Sequence, residues 1–269
     1  MSDRYAKYQS FELDYPIERV LRITLNKPET YNSLDKVGHR DMTYIWRDID
    51  EDPDISAVIL TAKGRAFSSG GDFSMIQENM DSHAALTNAW KEARDLVYNI
   101  INCGKPTVSA INGVAVGAGL VAALLSDISI AAKSARIVDG HTRLGAAAGD
   151  HAVINWPLLC GMAKAKYYLM LCEPMNGEEA ERLGLVSLCV EDDELEAKSL
   201  EVAQKLVDGA PGAIRWTKYA LNNWYRMAGP TFDTSLALEM LGFAGPEPRE
   251  GLASHLEKRK PNFDKENNV

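Results

Sequence analysis

The stretch KPTVSAINGVAVGAGLVAALLSDISIAAKSA, residues 105–135, decides the fold. It opens with the apolar and small residues of a buried strand, passes Gly113, Gly117 and Gly119 into an apolar helix pattern, and ends in a second buried strand. Strand, helix and strand in this order predict an α/β domain. Because the helix begins among glycines, its positive end is free to face an anion or a developing negative charge.

The same alternation extends in both directions from this stretch. ISAVILTA, residues 55–62, is an almost wholly apolar run typical of a strand covered on both faces, and a long amphipathic helix pattern follows at residues 83–103. From residue 151 onward helix patterns dominate, with one short strand pattern at residues 185–190. We predict a core over residues 1–200 and a C-terminal helical region over residues 201–269.

Composition excludes several classes of function. The 269 residues carry 29 Lys and Arg against 38 Asp and Glu, and a net charge of -9 disfavours binding to the phosphate backbone of a nucleic acid. No apolar run reaches the roughly 18 residues that a membrane span needs, and charges are scattered through the first twenty residues. The four cysteines form no CxxC pair. These features indicate a cytoplasmic protein with buried thiols, without nucleic-acid or membrane partners.

A second glycine-rich turn lies in GRAFSSGGDF, residues 64–73. Its Gly70-Gly71 pair leaves backbone N–H groups unshielded by side chains. Two such groups, one from each glycine turn, would form an oxyanion hole. Taken alone, the two turns are more typical of tight packing than of catalysis.

Five segments in this order resemble the crotonase, or enoyl-CoA hydratase/isomerase, superfamily across nearly the whole chain. They are ITLNKPETYNSL (23–34), GRAFSSGGDF (64–73), the opening stretch (105–135), EEAERLGLVSLCV (178–190) and REGLASHLEKRKPNF (249–263). The resemblance implies an α/β spiral of ββα units with a C-terminal helical trimerisation region. It also implies a homotrimer or hexamer that acts on an acyl-CoA substrate, with coenzyme A as part of that substrate and without a permanent cofactor or metal.

The resemblance also assigns residues. The backbone N–H groups of Gly71 and Ala118 would hold the thioester oxygen of an enolate. Lys27, Lys258 and Lys260 would contact the coenzyme phosphates, and Phe263 would lie near the adenine. Without the resemblance, the basic run at residues 258–260 would be interpreted as a solvated helix end, where cations are favoured.

One departure from the family pattern bears on the reaction. Hydratases of this family use two glutamates, but here the first position is Val121 and the second falls on His141. We predict that His141, aligned by Asp150, forms an acid-base pair. Asp139 is an alternative partner for His141, and Asp150 could act directly or cap a helix that begins near His151.

Three functions remain open from the sequence. The first is hydratase/isomerase-type enolate chemistry on an acyl-CoA. The second is retro-Claisen hydrolysis of a carbon-carbon bond in a cyclic β-diketone, because VDGHTRLGAAAGDHAVINW, residues 138–156, resembles the loop of 6-oxocamphor hydrolase and its relatives. The third is a non-catalytic scaffold trimer, for which Val121 is the main argument.

Overall fold

A computed structural model describes residues 3–265. Its larger sheet has six strands in the spatial order β1-β2-β3-β5-β7-β10, and every neighbouring pair is parallel except β1 with β2. These strands are β1 (Phe11–Ile17), β2 (Val20–Leu25), β3 (Ala57–Ala62), β5 (Thr107–Ile111), β7 (Ile128–Ala132) and β10 (Leu188–Val190).

A smaller sheet has four short strands in the order β4-β6-β8-β9. They are β4 (Ala66–Ser69), β6 (Val114–Val116), β8 (Arg136–Ile137) and β9 (Met175–Asn176). The first three are parallel, and β9 runs antiparallel to β8. The chain passes from a strand of the large sheet to a strand of the small sheet and then into a helix, three times in succession. This repeat confirms the predicted α/β spiral of ββα units.

Thirteen helices lie among the described residues 3–265. They are α1 (Lys36–Glu51), α2 (Phe73–Asp81), α3 (His83–Asn102), α4 (Gly117–Leu124), α5 (His141–Leu144), α6 (Ala152–Cys160), α7 (Met162–Leu171), α8 (Gly177–Leu183), α9 (Leu195–Asp208), α10 (Pro211–Leu221), α11 (Asn223–Met227), α12 (Gly229–Phe243) and α13 (Glu247–Leu256). Three-residue 3₁₀ helices occupy Asp3–Tyr5, Pro28–Thr30 and Asp192–Glu194. The predicted boundary at residue 200 falls inside α9. Within the described residues, no helix combines the length and apolarity needed to span a bilayer.

The packing of the core explains why β3 is an almost continuous apolar run and why β5 has only apolar and small residues. Helix α9 packs on both strands, while α1 and α3 pack against each other. Ile45, Trp46 and Ile49 of α1 are fully buried, as are Val58 and Leu60 of β3. Each such side chain contributes about 1.5–3 kcal/mol by leaving water. This core fixes the large sheet, and the short strands of the small sheet extend from it.

Candidate active site

Three parallel strands of the small sheet end at one edge. Ser69 at the end of β4 pairs with Val116 at the end of β6, and β8 continues the same direction beside β6. Because parallel strands place their following turns at the same edge of a sheet, three segments meet there. They are Gly70-Gly71, Gly117-Ala118 and the run from Asp139 to His141.

The two glycine turns touch. Gly70 and Gly117 have φ angles of +89° and +56°, a region that glycine enters without strain. A Cβ on Gly117 would lie 2.8 Å from Cα of Gly70, so no larger residue fits without moving the other turn. The glycines therefore let two chain segments approach at backbone contact.

Each turn offers a backbone donor. Ala118 is the second residue of α4, and the first N–H groups of a helix have no partner within it. Leu34 donates to the carbonyl of Gly70 and accepts from Asp72, so by the alternation of a parallel pairing the N–H of Gly71 points away from Leu34. Two donors from two touching turns are the arrangement that an oxyanion hole needs.

Gly119, one turn into α4, allows this contact, and an alanine there is expected to destabilise the fold. Its Cβ would lie 2.3 Å from Cβ of Ser68, whose hydroxyl accepts from the Gly70 N–H. Overpacking of this kind costs about 1–3 kcal/mol. Thermal unfolding of Gly119→Ala should show a lower Tm. Gly212→Ala, whose Cβ meets atoms no closer than 3.6 Å, is the control and should keep the Tm; equal Tm values for the two variants would contradict the packing argument.

His141 lies at the centre of a cluster of carboxylates. Its Nδ1 is 3.0 and 3.1 Å from the two oxygens of Asp139. On the other side of the ring, Nε2 lies 3.9 Å from Oδ2 of Asp150 and 3.6 Å from Oε1 of Glu239. The His141 side chain is 14% exposed, more than those of the three acids around it. It is therefore the member of the cluster nearest to open space.

The partner of His141 differs from the one first expected. Asp139, not Asp150, makes the close contact with the ring, because Gly140 adopts a helical conformation that folds His141 back over the preceding carboxylate. Asp150 instead places Oδ1 2.8 Å from Nδ1 of His151 and also accepts the backbone N–H groups of His151 and Ala152 at the start of α6. One oxygen of Asp150 is therefore held at the start of this helix, while its other oxygen faces His141.

Glu239 was missed by the sequence analysis. It lies on α12 and is only 6% exposed, and its Oε2 has no hydrogen-bond partner within residues 3–265. Gly149 lets α12 come this close, because a Cβ there would lie 2.6 Å from Cβ of Glu239. The one available signal was that Glu239 is the single charged residue in the apolar run SLALEMLGF, residues 235–243.

The cluster distributes its protons unevenly. Burial raises the pKa of Glu239 to about 8; the His141 charge opposes this rise, and Asp150 and Asp139 add to it. Burial lowers the pKa of His141, but the charges of Asp139, Asp150 and Glu239 outweigh burial and raise it well above its usual value. Burial raises the pKa of Asp150, but His151 and His141 outweigh it and hold that pKa below its usual range. At neutral pH, Glu239 and His141 therefore carry protons and Asp150 is a carboxylate.

The same residues have the donor atoms of a metal site. Asp139, His141 and Asp150 each offer one ligand atom within 4.8 Å of the others. Both oxygens of Asp139 already face the His141 ring, and one oxygen of Asp150 is bonded to His151. These donor atoms are therefore already engaged in contacts within the cluster.

The predicted coenzyme-binding residues lie on two segments. Lys27 follows β2, and its Nζ is 2.7 Å from Oδ2 of Asp35. Lys258 and Lys260 are exposed after α13, and Phe263 is half-buried. The ring of His255 in α13 packs edge-on against Phe73, at 4.9 Å between ring centroids, and Phe73 is two residues from Gly71. The basic segment therefore begins near the Gly71 turn.

A likeness to one solved structure concerns the fold alone. A β-diketone hydrolase from the cyanobacterium Anabaena, solved with (S)-3-oxocyclohexyl acetic acid, superimposes with a TM-score of 0.83 at 24% sequence identity. The superposition covers 91% of this chain and 98% of the hydrolase chain. It shows that the spiral is shared.

Comparisons of the sequence identify the family. The family model for enoyl-CoA hydratase/isomerase matches residues 17–266. The short-chain-enoyl-CoA hydratase of Clostridium acetobutylicum is 31% identical, over 90% of this chain and 93% of the relative. The 1,2-epoxyphenylacetyl-CoA isomerase of Escherichia coli is 30% identical, over 94% and 98%. An enoyl-CoA hydratase/isomerase structure from Mycobacterium paratuberculosis has a TM-score of 0.86 at 29% identity, over 91% of this chain and 98% of that chain. The chain belongs to the enoyl-CoA hydratase/isomerase family of enzymes.

Proposed function

We propose that this enzyme adds water to, or moves the double bond of, an enoyl thioester of coenzyme A. The observation that carries the proposal is the shared sheet edge, where two touching glycine turns lie beside a buried cluster that holds both a proton donor and a carboxylate. The backbone N–H groups of the turns stabilise the negative charge of an enolate. The cluster provides for proton transfer.

The N–H groups of Gly71 and Ala118 are proposed to bind the thioester oxygen. Electrons move onto this oxygen when a nucleophile attacks the β-carbon or a proton leaves the α-carbon. Backbone donors are fixed before the reaction, so they stabilise the charge without reorganising.

We assign the proton transfers of hydration to Asp150 and His141. The Asp150 carboxylate takes a proton from water while the water oxygen bonds to the β-carbon, and the electron pair of the double bond moves onto the thioester oxygen. His141 then donates a proton to the α-carbon. Transfer of a proton from Asp150 back to the ring, with Glu239 beside Nε2 as a second source, restores the starting state. Isomerisation uses the same groups, with proton removal at the α-carbon and return at the γ-carbon.

This assignment changes the role that the sequence suggested for His141. The Asp139 and Asp150 carboxylates outweigh burial and raise its pKa, so the ring begins as a proton donor and the base is Asp150. Val121, at the position of the usual first glutamate, is buried in α4 and exchanges no proton. Glu239, from α12, brings an acid into the cluster in its place.

We retain Lys27, Lys258 and Lys260 as the proposed phosphate contacts and Phe263 as the adenine contact. Coenzyme A brings three phosphates, and localised cations on flexible chains suit them. In the structure Lys27 pairs with Asp35 across a partly exposed contact, which a phosphate can replace at little cost.

We also propose that copies of the chain associate through α10 and α11, as a homotrimer or a hexamer. Trp216 and Trp224 on these helices are 76% and 60% exposed, and Tyr219, Leu221 and Met227 are exposed beside them. An apolar surface of this kind is typical of an interface. The C-terminal association region would then begin after α9. The four free cysteines fit a reducing compartment, the cytoplasm.

Binding and turnover of a thioester test the proposed function. Crotonyl-CoA, or a longer or branched enoyl-CoA, is expected to raise the Tm, because a ligand at 100 times its Kd that binds only the folded state stabilises it by about 2.7 kcal/mol. Mass spectrometry should show addition of one water or, for a 3-enoyl thioester, a shifted double bond. The matching free acids without coenzyme A are the control. Neither stabilisation nor turnover across the series would refute the proposal.

The His141-Asp139 pair and Val121 favour carbon-carbon hydrolysis of a cyclic β-diketone as the second candidate. In that reaction an activated water attacks one ketone, the carbon-carbon bond breaks, and the glycine turns hold the enolate of the other ketone. Bicyclic β-diketones in the same assay decide between the two. Ring-opened acid without any turnover of thioesters would favour this candidate.

A further inference from the structure

We propose that His151 is a positioning residue, which fixes the Asp150 carboxylate in place and is itself held from behind by Asn155. The inference rests on the proposed function, in which Asp150 is the base. Neither His151 nor Asn155 reaches the open side of the cluster, since they are 1% and 0% exposed.

His151 and Asp150 make two contacts with each other. Oδ1 of Asp150 lies 2.8 Å from Nδ1 of the His151 ring and also accepts the His151 backbone N–H. One carboxylate oxygen is thus bound to a rigid helix end, and rotation of the carboxylate would break both contacts. Oδ2, which lies 3.9 Å from Nε2 of His141, is left free to receive a proton from substrate water.

The second nitrogen of the His151 ring, Nε2, lies on the side of the ring away from Asp150. Among residues 3–265, Nε2 of His151 and Oδ1 of Asn155 are both buried without a hydrogen-bond partner. The amide of Asn155 is oriented by its Nδ2, which donates to the carbonyl of Leu124 at 2.9 Å, so its oxygen is fixed as an acceptor. With Nδ1 donating to Asp150, Nε2 carries a hydrogen only when the ring is an imidazolium. That N–H and a carbonyl oxygen are complementary, and residues four apart lie on one face of a helix.

In the proposed arrangement these two atoms pair with each other, directly or through one buried water. His151 would then be held at both nitrogens, by Asp150 on one side and Asn155 on the other. A ring held at both ends cannot rotate, and it keeps Asp150 from turning away from His141. His151 at the N-cap of α6 and Asn155 within α6 thereby tie the base to a buried helix.

The charged surroundings of Asp150 predict what removal of His151 does. The titratable groups that face Asp150 or its partner ring are His141 on α5, Asp139 across that ring, Glu239 on α12 and His151 itself. Burial raises the pKa of Asp150, and the charges of His151 and His141 lower it. Without His151, one of the charges that lower the pKa of Asp150 is lost and burial still raises it. The pKa of Asp150 should therefore rise, and the carboxylate should take up its proton at higher pH.

The test compares His151→Asn with His151→Phe. The Asn side chain keeps a donor close to the position of Nδ1, whereas Phe removes both ring nitrogens and keeps only the backbone N–H contact with Asp150. We expect His151→Phe to lower kcat at least tenfold, to move the acidic limb of the kcat/KM profile up by a pH unit or more, and to leave KM within twofold. His151→Asn should recover part of kcat and keep part of the shift.

The matched control is His39→Asn, which alters another buried histidine, with Nδ1 3.0 Å from Glu92. It should lower the Tm without moving the acidic limb. If the His151 variants also lower only the Tm and leave the limb in place, the positioning role is overturned.

A titration of the Asp150 carboxyl carbon by ¹³C NMR, in the wild type and in His151→Asn, requires no substrate. A rise of the Asp150 midpoint in the variant supports the inference even if no thioester is turned over, and an unchanged midpoint overturns it. Absence of turnover in the wild type would count against the proposed function alone.

Discussion

Replacement of Ala118 by proline is expected to lower kcat by about 10²- to 10³-fold while the protein keeps its fold. Proline removes one backbone N–H, the donor proposed for the thioester oxygen, and changes no other hydrogen bond of α4, because the first helical N–H groups are not used within the helix. The same local sequence already exists in the chain, since α12 begins with Gly229 and Pro230. Proline at the second position of a helix therefore has a precedent in this chain.

The matched control is Ala118→Ser, which adds one oxygen at the same position and keeps the N–H. It should retain kcat within a few-fold, and circular dichroism should show the same helix content for both variants. If Ala118→Pro is folded and its kcat stays within threefold of the wild type, the N–H of Ala118 does not stabilise the transition state. A fall in kcat with unchanged KM would place the lost interaction in the transition state.

Much of the fold could be predicted from the sequence because its signals are long. The apolar and small residues that became β3, β5 and β7 extend over five or six positions, and the amphipathic pattern of α3 extends over twenty, so each can be recognised. Strands β6, β8 and β9 have three residues or fewer, too short for any alternation to appear. These short strands form most of the sheet that brings the site together, so the motifs were visible in the sequence and their convergence was not.

The cluster of carboxylates around His141 shows a second limit to prediction from sequence. His141, Asp139 and Asp150 were all recognised as candidates, but the choice of partner depends on the conformation of Gly140, which no residue pattern fixes. Glu239 lies 98 residues along the chain from His141, and it reaches the cluster only because Gly149 admits α12. A contact between such distant segments follows from tertiary packing and leaves no local signal.

Glu239→Gln is expected to lower kcat about 100-fold near pH 7, within the range for loss of a proton-transfer group. In the wild type the buried acid keeps its proton up to a pKa of about 8. Activity that depends on the protonated form should therefore decline as the pH rises through 8. Glutamine cannot transfer this proton, so the residual activity of the variant should lack that basic limb.

The same substitution is expected to stabilise the protein at alkaline pH. The pKa of Glu239 is raised in the folded state, from an ordinary value of 4.5 to about 8. Between these two values the folded chain holds a proton that the unfolded chain has lost, so its stability falls as the pH rises. Glutamine remains neutral, fills the same volume and has no such loss, and its Tm at pH 8.5 should exceed that of the wild type.

The loss of kcat, and not the gain of stability, separates a functional acid from a structural one. Any buried acid with a raised pKa should gain stability at alkaline pH when its amide replaces it, so the gain tests the pKa and the loss of kcat tests the role. Asp233→Asn, an exposed change on the same helix, is the control and should move neither kcat nor the pH dependence of the Tm. If Glu239→Gln keeps full kcat, the protonated carboxyl is not part of the reaction. If its Tm falls with pH at least as steeply as that of the wild type, the pKa of Glu239 is not raised in the folded protein. A lower kcat without the basic limb would mean that α12 brings to this site the acid that Val121 cannot supply.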